Sequence, residues 1–436
     1  IRGPYLQVTS GTGITVRWRT DIATDSKVVV GTTYGTYTIS GTNSTSTTEH
    51  IVRVTGLKAS TKYFYRFGTS ANPVTGDAGN YFTTAPPTST KQKIRVAAFG
   101  DAGHFDITQS NVFNSYLNNT TSDPADLMLI LGDNAYEDGT DSEFTYNFFK
   151  PFEDPMLKNH PLFPTPGNHD YHTTLQSLRT APYFKSFTTP QAGECGGLSS
   201  GAPGYYSFNW GNIHFLSLDS YGTETSSNLR MSDTLSPQVV WVKKDLEANT
   251  LPWTIVFFHH PPFTKGTRNS DTEGELIAIR QNFIRILERY GVDIVLTGHS
   301  HVYERSYLLR NYYGTEAEFN LATDAVTTSS GKYDGSANSC PFVTTTKKIK
   351  HGTVYVVSGA ASSIEPDIDP SFPHDALPFS SLQGSMFFFE VENNRLDAKC
   401  FREDGTTIDQ FSILKTVNKT NNISITQSST ETIKAT

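Results

Sequence analysis

The amino-terminal part of the chain alternates. Ile14, Val16 and Trp18 fall on one side of a strand and Thr15, Arg17 and Arg19 on the other, and residues 28–30 and Tyr63, Tyr65 and Phe67 repeat the pattern. Short strands separated by Gly, Thr and Asn turns predict an all-β sandwich over residues 1–84. The segment 85–92, which includes Pro86 and Pro87, breaks every period and reads as a linker. From residue 93 the apolar runs lose their alternation. Residues 94–99, 127–131, 213–218, 255–258 and 294–296 have the composition of strands buried on both faces, with helices between them. One helix is predicted after Ser236-Pro237, through Trp241 and Leu246. Another is predicted to open in a Thr272/Glu275 capping box, to carry Leu276, Ile279, Phe283 and Leu287 on one face, and to end at Gly291. Residues 311–350 and 362–380 lack periodicity and read as long excursions of the kind that carry specificity. The catalytic unit is expected to span 93–416, and 417–436 to be a polar tail.

Composition narrows the functional classes. The 436 residues carry 35 Lys plus Arg against 43 Asp plus Glu, a net charge of -8, and no basic run dense enough to follow a phosphodiester backbone. Nucleic acid is not an expected partner. Cys195, Cys340 and Cys400 are far apart and form no CxxC pair, which leaves room for one disulfide and one free thiol but not for a thiolate zinc site. No stretch approaches the ~20 apolar residues of a membrane span. The start at Ile1-Arg2-Gly3-Pro4, with no initiator Met, reads as a processed product, and the polar loops suit a secreted or otherwise extracytoplasmic protein.

Five polar clusters each follow an apolar run: Gly100-Asp101-Ala102-Gly103, Gly132-Asp133-Asn134-Ala135-Tyr136, Gly167-Asn168-His169-Asp170, His259-His260 and Gly298-His299-Ser300-His301. In α/β sheets the loops beyond the carboxyl ends of the strands share one rim, so clusters distant in sequence can build one site. The leading glycines are expected to let the chain turn sharply there. Asp, Asn, Tyr and His together suit divalent and trivalent first-row metals, and their number exceeds what one ion needs. Two ions sharing an Asp carboxylate are the usual arrangement for hydrolysing phosphate esters. Either of two roles is open to Asp170, orienting His169 or capping a turn. His104, His160, His172, His214, His351 and His374 read as structural or exposed histidines.

The ordered set GDxG, GDxxY, GNH plus an acid, VxxH (Val256 to His259) and GHxH, extended by Tyr303-Glu304-Arg305, resembles the signature of the purple acid phosphatases within the calcineurin-like metallophosphoesterases. The resemblance covers residues 94–305, and the segment ahead of it is similar to the family's fibronectin type III-like amino-terminal domain. It implies an α/β (α+β) four-layer sandwich of two mixed sheets flanked by helices. It further implies that Asp101, Tyr136 and His301 bind Fe(III), that Asn168, His259 and His299 bind a second divalent metal (Zn, Fe or Mn), and that Asp133 bridges the two. His169 would then bind the substrate phosphate and help protonate the leaving group. Larger family members carry further histidines just ahead of a Glu-Gly-Glu segment, where this chain has Ser270 and Asp271, and His260 is the candidate to replace them.

The implied activity is acid phosphatase chemistry on a phosphate-ester small molecule, with a metal-bound hydroxide attacking a phosphate monoester. A phosphodiesterase or nucleotidase on the same site is the alternative. A cell-surface binding module with a retired enzyme domain is a third reading, disfavoured because every ligand position is filled.

Overall fold

The computed structural model describes residues 1–416 except 73, 74, 172, 173, 175, 177, 178, 223–228, 348, 350 and 365. The polar tail and His172 therefore lie outside the described residues. The first strands are β1 (Arg2–Gln7), β2 (Gly13–Gly31), β3 (Ile39–Thr55), β4 (Lys62–Gly68) and β5 (Tyr81–Thr83). They form one antiparallel sheet in the order β1-β2-β4-β5, with β3 also on β2. Ile14, Val16 and Trp18 are buried in the core of this sheet together with Val28, Tyr65 and Phe82.

The opposite face of β2 is not left to solvent. Arg17 is only 1% exposed, and its guanidinium reaches the Lys185 carbonyl and Thr188 Oγ1. Arg2 bonds Ser186 Oγ at 2.9 Å and Asp141 Oδ1 at 2.8 Å, Tyr5 Oη donates to Ser186 O at 2.8 Å, and Tyr65 Oη to Lys158 O at 2.8 Å. Alternation in a strand marks one face as apolar but does not make the other face wet. Here a second domain covers it with polar groups that pair the arginines.

Beyond the linker come β6 (Ile94–Phe99), β7 (Leu127–Ile130), β8 (Leu162–Pro164), β9 (Tyr206–Trp210), β10 (Ile213–Ser217), β11 (Trp253–Phe257) and β12 (Ile294–Thr297). They are followed by β13 (Tyr303–Arg305), β14 (Phe342–Thr345), β15 (Val354–Ser358), β16 (Phe379–Ser381), β17 (Ser385–Glu392), β18 (Arg395–Arg402) and β19 (Thr407–Thr416). Two mixed seven-stranded sheets result, β16-β13-β15-β12-β11-β10-β9 and β14-β19-β18-β17-β6-β7-β8. Ile94, Val96 and Ala98 from one sheet and Ile255, Phe257 and Leu296 from the other fill the space between them. Ala97 and Phe99 face outward onto the helical layer that holds Val112 and Tyr116, and Val256 and Val295 onto the layer that holds Val242 and Phe283. This is a four-layer helix-sheet-sheet-helix sandwich. Burial on both faces explains why these strands do not alternate.

Helix Pro237–Ala248 starts as the sequence predicts, with Ser236 Oγ accepting from Val239 N at 3.3 Å. The other predicted helix differs at its start. It begins at Gly274 with Glu273 at the cap position, and runs as helix Gly274–Ala278, a π-helical turn Ile279–Phe283 and helix Ile284–Arg289. The Thr272/Glu275 box does not form: Thr272 Oγ1 donates to Asn269 O, and Glu273 takes the cap position with no side-chain bond into the helix, its carboxylate accepting from Asn269 N at 2.9 Å. The segment 311–350 is not wholly an excursion: β14 pairs with β19, and Phe342 lies in the core between the sheets. All three cysteines are free. Cys195 and Cys400 are buried and Cys340 is exposed, so the disulfide that the sequence allowed is not formed.

Candidate metal centre

Strands β6, β7 and β8 are parallel in one sheet, and β11 and β12 are parallel in the other. Asp101, Asp133, Asn168, His259 and His299 follow the carboxyl ends of these five strands. The loops leave the sheets in strained conformations: Asp101, Asp133 and His299 have φ of 58°, 49° and 67°. Non-glycine residues in this region are uncommon and gather at functional sites.

Gly132 makes the predicted sharp turn, at φ 92°, whereas Gly167 and Gly298 serve a different purpose. Gly167 and Gly298 lie outside the left-handed region, but a Cβ on Gly167 would sit 2.2 Å from Asp133 Oδ1, and one on Gly298 2.4 Å from Asp101 Oδ2. Glycine is required there because the carboxylates approach the backbone too closely for any side chain.

The side chains converge in two groups. Tyr136 Oη lies 2.8 Å from Asp101 Oδ1, 3.0 Å from His301 Nε2 and 3.2 Å from Asp133 Oδ2. His259 Nε2 lies 3.0 Å from the same Asp133 Oδ2 and 3.1 Å from Asn168 Oδ1. Potential ligand atoms of Asp133, His259 and His299 all fall within 4.8 Å of one another. One carboxylate oxygen therefore belongs to both groups.

The imidazoles are preset. Nδ1 of His259 faces Leu131 O at 2.8 Å and Nδ1 of His301 faces Ser363 O at 3.1 Å. A carbonyl oxygen only accepts, so each Nδ1 carries a proton and each Nε2 faces the site, the usual preparation of a metal-binding histidine. Backbone donors fix the carboxylates, with His299 N on Asp101 Oδ2 at 2.9 Å and His169 N on Asp133 Oδ1 at 2.8 Å. Ser362, from the irregular segment 362–380, donates to the Asp101 carbonyl.

The charges fit a cation. Burial would raise the pKa of Asp133, but His259 and His169 outweigh it and hold the carboxyl well below its usual range. His259 pushes back against its own burial and reaches about 9 because Asp133 and Asp101 face it. Burial and the same two carboxylates push the Tyr136 phenol far above 10. His299 falls well below 6.5 through burial and the neighbouring His260 and His259. An ionised Asp133, imidazole Nε2 atoms turned inward and a phenol beside them are a donor set that suits hard to borderline metals in more than one position, a cation there taking the place of the proton that His259 Nε2 otherwise holds against Asp133.

All eight residues expected at the site are brought to this rim. His169 Nδ1 bonds Glu137 O at 2.6 Å. Asp170 does not orient His169: it accepts from Gly167 N, Asn134 N and Asn134 Nδ2 at 2.8, 3.1 and 2.7 Å, capping the turn. Burial and Asp133 raise its carboxyl to about 7. His260 is buried beside His299 with centroids 4.4 Å apart, and its Nδ1 is 2.8 Å from Ser220 Oγ. Ser270 and Asp271 turn away into packing, Ser270 Oγ onto Thr264 O and Asp271 onto Lys265 and Arg280. His104, which the sequence presents as a structural or exposed histidine, stacks on Tyr136 with ring centroids 3.7 Å apart. Its adjacency to the first motif was the only sequence signal available.

The family model described as calcineurin-like phosphoesterase matches residues 94–303, and that of the purple acid phosphatase N-terminal domain matches residues 1–91. The chain resembles the purple acid phosphatases in both segments. Among its curated relatives in that family, Purple acid phosphatase 15 of Arabidopsis thaliana is 29% identical over 294 residues, covering 62% of this chain and 52% of the relative. Phosphoenolpyruvate phosphatase of Allium cepa is 26% identical over 321 residues, covering 69% and 61%. The chain thus spans between about half and two thirds of the length of these relatives. In fold it is similar to a purple acid phosphatase from yellow lupin (Lupinus luteus) seeds, with a TM-score of 0.69, 17% identity, and coverage of 95% of this chain and 75% of that one. No helix among the described residues is long and apolar enough to cross a membrane.

Proposed function

We propose that this chain is a metal-dependent phosphatase that hydrolyses phosphate monoesters at a binuclear centre. Asp101, Tyr136 and His301 hold Fe(III), Asn168, His259 and His299 hold a divalent zinc, iron or manganese ion, and Asp133 is shared. The observation that carries this reading is the position of Asp133 Oδ2, within reach of both Tyr136 Oη and His259 Nε2. Bound there, two cations stabilise charge on the phosphoryl oxygens and lower the pKa of an attacking water.

The chain's own residues do the rest. Asp133, the Tyr136 phenolate and Asp101 supply compensating negative charge, and His259 and His301 present Nε2 with their tautomers fixed. His169 has its Nδ1 proton committed to the Glu137 carbonyl, so Nε2 is the atom that carries a proton to the departing alkoxide. A secreted or otherwise extracytoplasmic setting is part of the same proposal, supported by the 18% charged fraction and the polar loops.

The test is reconstitution of metal-free protein with ferric iron plus zinc. A visible phenolate-to-iron absorption band is expected, with faster turnover of an aryl phosphate than of the matching bis-aryl phosphate. Tyr136→Phe should lose the band while metal and some hydrolysis survive. Absence of any band, with equal activity from zinc or manganese alone, removes iron from the reading, and a much faster diester reaction removes the monoester assignment.

A further inference from the structure

His104 is outside the ligand set but packed against it. Its imidazole lies on the Tyr136 ring with centroids 3.7 Å apart and planes 16° from parallel, and meets His301 edge-on at 6.0 Å and 75°. The His169 ring also packs on Tyr136, tilted by 50° at 4.5 Å. One short segment joins these contacts. Glu137 Oε1 stands 3.7 Å from His104 Nδ1, and the Glu137 carbonyl accepts from His169 Nδ1.

The loop that carries His104 is clamped to the loop that carries Tyr136. Tyr136 N donates to Gly103 O at 3.0 Å. Phe105, in a left-handed conformation at φ 57°, donates its N–H to Gln109 Oε1 at 2.6 Å. Gln109 Nε2 donates to Asn147 O at 2.8 Å, and Asn147 Nδ2 returns to Tyr136 O at 2.9 Å. A left-handed aromatic residue is a strained choice that the surrounding contacts must enforce. His104 Nε2 is shut off from solvent and meets no hydrogen-bonding partner among the described residues.

We infer that His104 is a positioning residue whose stack sets the plane of the Tyr136 phenol at the metal centre and, through the Glu137 segment, the bearing of His169. The inference rests on the proposed reading of Tyr136 and His169. It acts by shape: a flat ring at this position keeps the phenol from rotating about its own axis, and the angle of that ring governs how its oxygen overlaps with a bound metal.

The test compares wild type, His104→Ala, His104→Gln and His104→Phe after ferric-plus-zinc loading, by visible spectrum and by kcat on an alkyl and an aryl phosphate. Loss of the ring should displace the band and lower kcat by ~10–100-fold, the range seen when groups that orient metal ligands are removed. The loss should be larger on the alkyl ester, where His169 matters, with KM little changed. His104→Phe restores a flat ring and should bring the band and most of kcat back. If Ala at this position prevents folding, His104→Gln carries the same comparison. A band unmoved in the ringless variants, or displaced as far in His104→Phe, overturns the inference. If wild type shows no band, the iron assignment fails by itself, and the zinc-loaded forms decide: a drop in kcat without the ring and recovery with Phe supports the role, and equal kcat overturns it.

Discussion

Replacing Gly167 by Ala adds one carbon, and the structure places its cost inside the metal site. The new Cβ would lie 2.2 Å from Asp133 Oδ1, 2.4 Å from Asp133 N and 2.8 Å from its Cγ, whereas real Cβ atoms essentially never approach another heavy atom closer than 3.0 Å. Something must therefore move by at least ~0.8 Å, and ordinary contact requires more. The turn cannot relax outward, because Gly167 N and both Asn134 donors are fastened to the Asp170 carboxylate. Either Asp133 retreats or Asn168, the next residue, is carried away, and both belong to the proposed centre. A misplacement of ~1 Å costs on the order of 10²-fold in rate. Overpacking costs the fold only ~1–3 kcal/mol. The expected outcome is a folded protein with kcat on an aryl phosphate down roughly a hundredfold and reduced content of one metal by elemental analysis. Gly274→Ala is the matched control, since a Cβ there meets nothing within 4 Å and the residue is at a helix start. A Gly167→Ala protein with full metal content and turnover within about threefold of wild type would refute the reasoning that this loop transmits displacement to the site.

Further outcomes can be measured on the same footing. Asp133→Asn should lose at least one metal and most activity while remaining folded by circular dichroism, because the anionic link between two cations is gone; full occupancy with normal turnover contradicts the shared-ligand role. His169→Ala should keep both metals and lose ~10²–10⁴-fold on esters with poor leaving groups but far less on activated aryl esters; an equal loss on both would make it a phosphate-positioning group. His374 is fully buried and its pKa is lowered to about 3, chiefly by burial, with Lys265 and Arg280 adding to it and Asp271 opposing. The unfolded chain binds the extra proton between pH 6.5 and 3, so its contribution to stability is complete above that window and is lost as pH falls through it, at up to ~1.4 kcal/mol per pH unit. His374→Asn, which can still accept from Ala376 N, should flatten urea-unfolding stability between pH 6.5 and 4, and an unchanged slope would show that this ring does not set it.

The positions proposed as ligands were legible because each lies in a short cluster directly after an apolar run, and the topology of parallel strands then brings the clusters to one rim. What could not be read are contacts without a local signature. The reason for Gly167 is Asp133, and the reason for Gly298 is Asp101, each far away in the chain. The stack of His104 on Tyr136 spans two loops, and one histidine among several gives no hint of it. The helix predicted at Thr272 starts at Gly274 because Asn269 holds Thr272 and Glu273 in a turn ahead of it, a local competition that outweighs the capping signal. The excursion at 311–350 hid a core strand because β14 contributes only Phe342 and Thr344 as buried positions, too few to reveal a period.

The arginines of the amino-terminal sheet bear on how separable this architecture is. Arg2, Arg17, Tyr5 and Gln7 fasten β1 and β2 to the stretch from Asp141 to Thr188, the same stretch that supplies Asn168 and His169. Tyr5 stands inside the apolar layer of the larger domain with Phe149, their centroids 4.5 Å apart. A chain cut between β5 and β6 would therefore not release two modules. It would strip a wall from one and leave the other with buried guanidinium groups suddenly wet, so exchange of these parts between relatives should succeed only when both sides of that seam travel together.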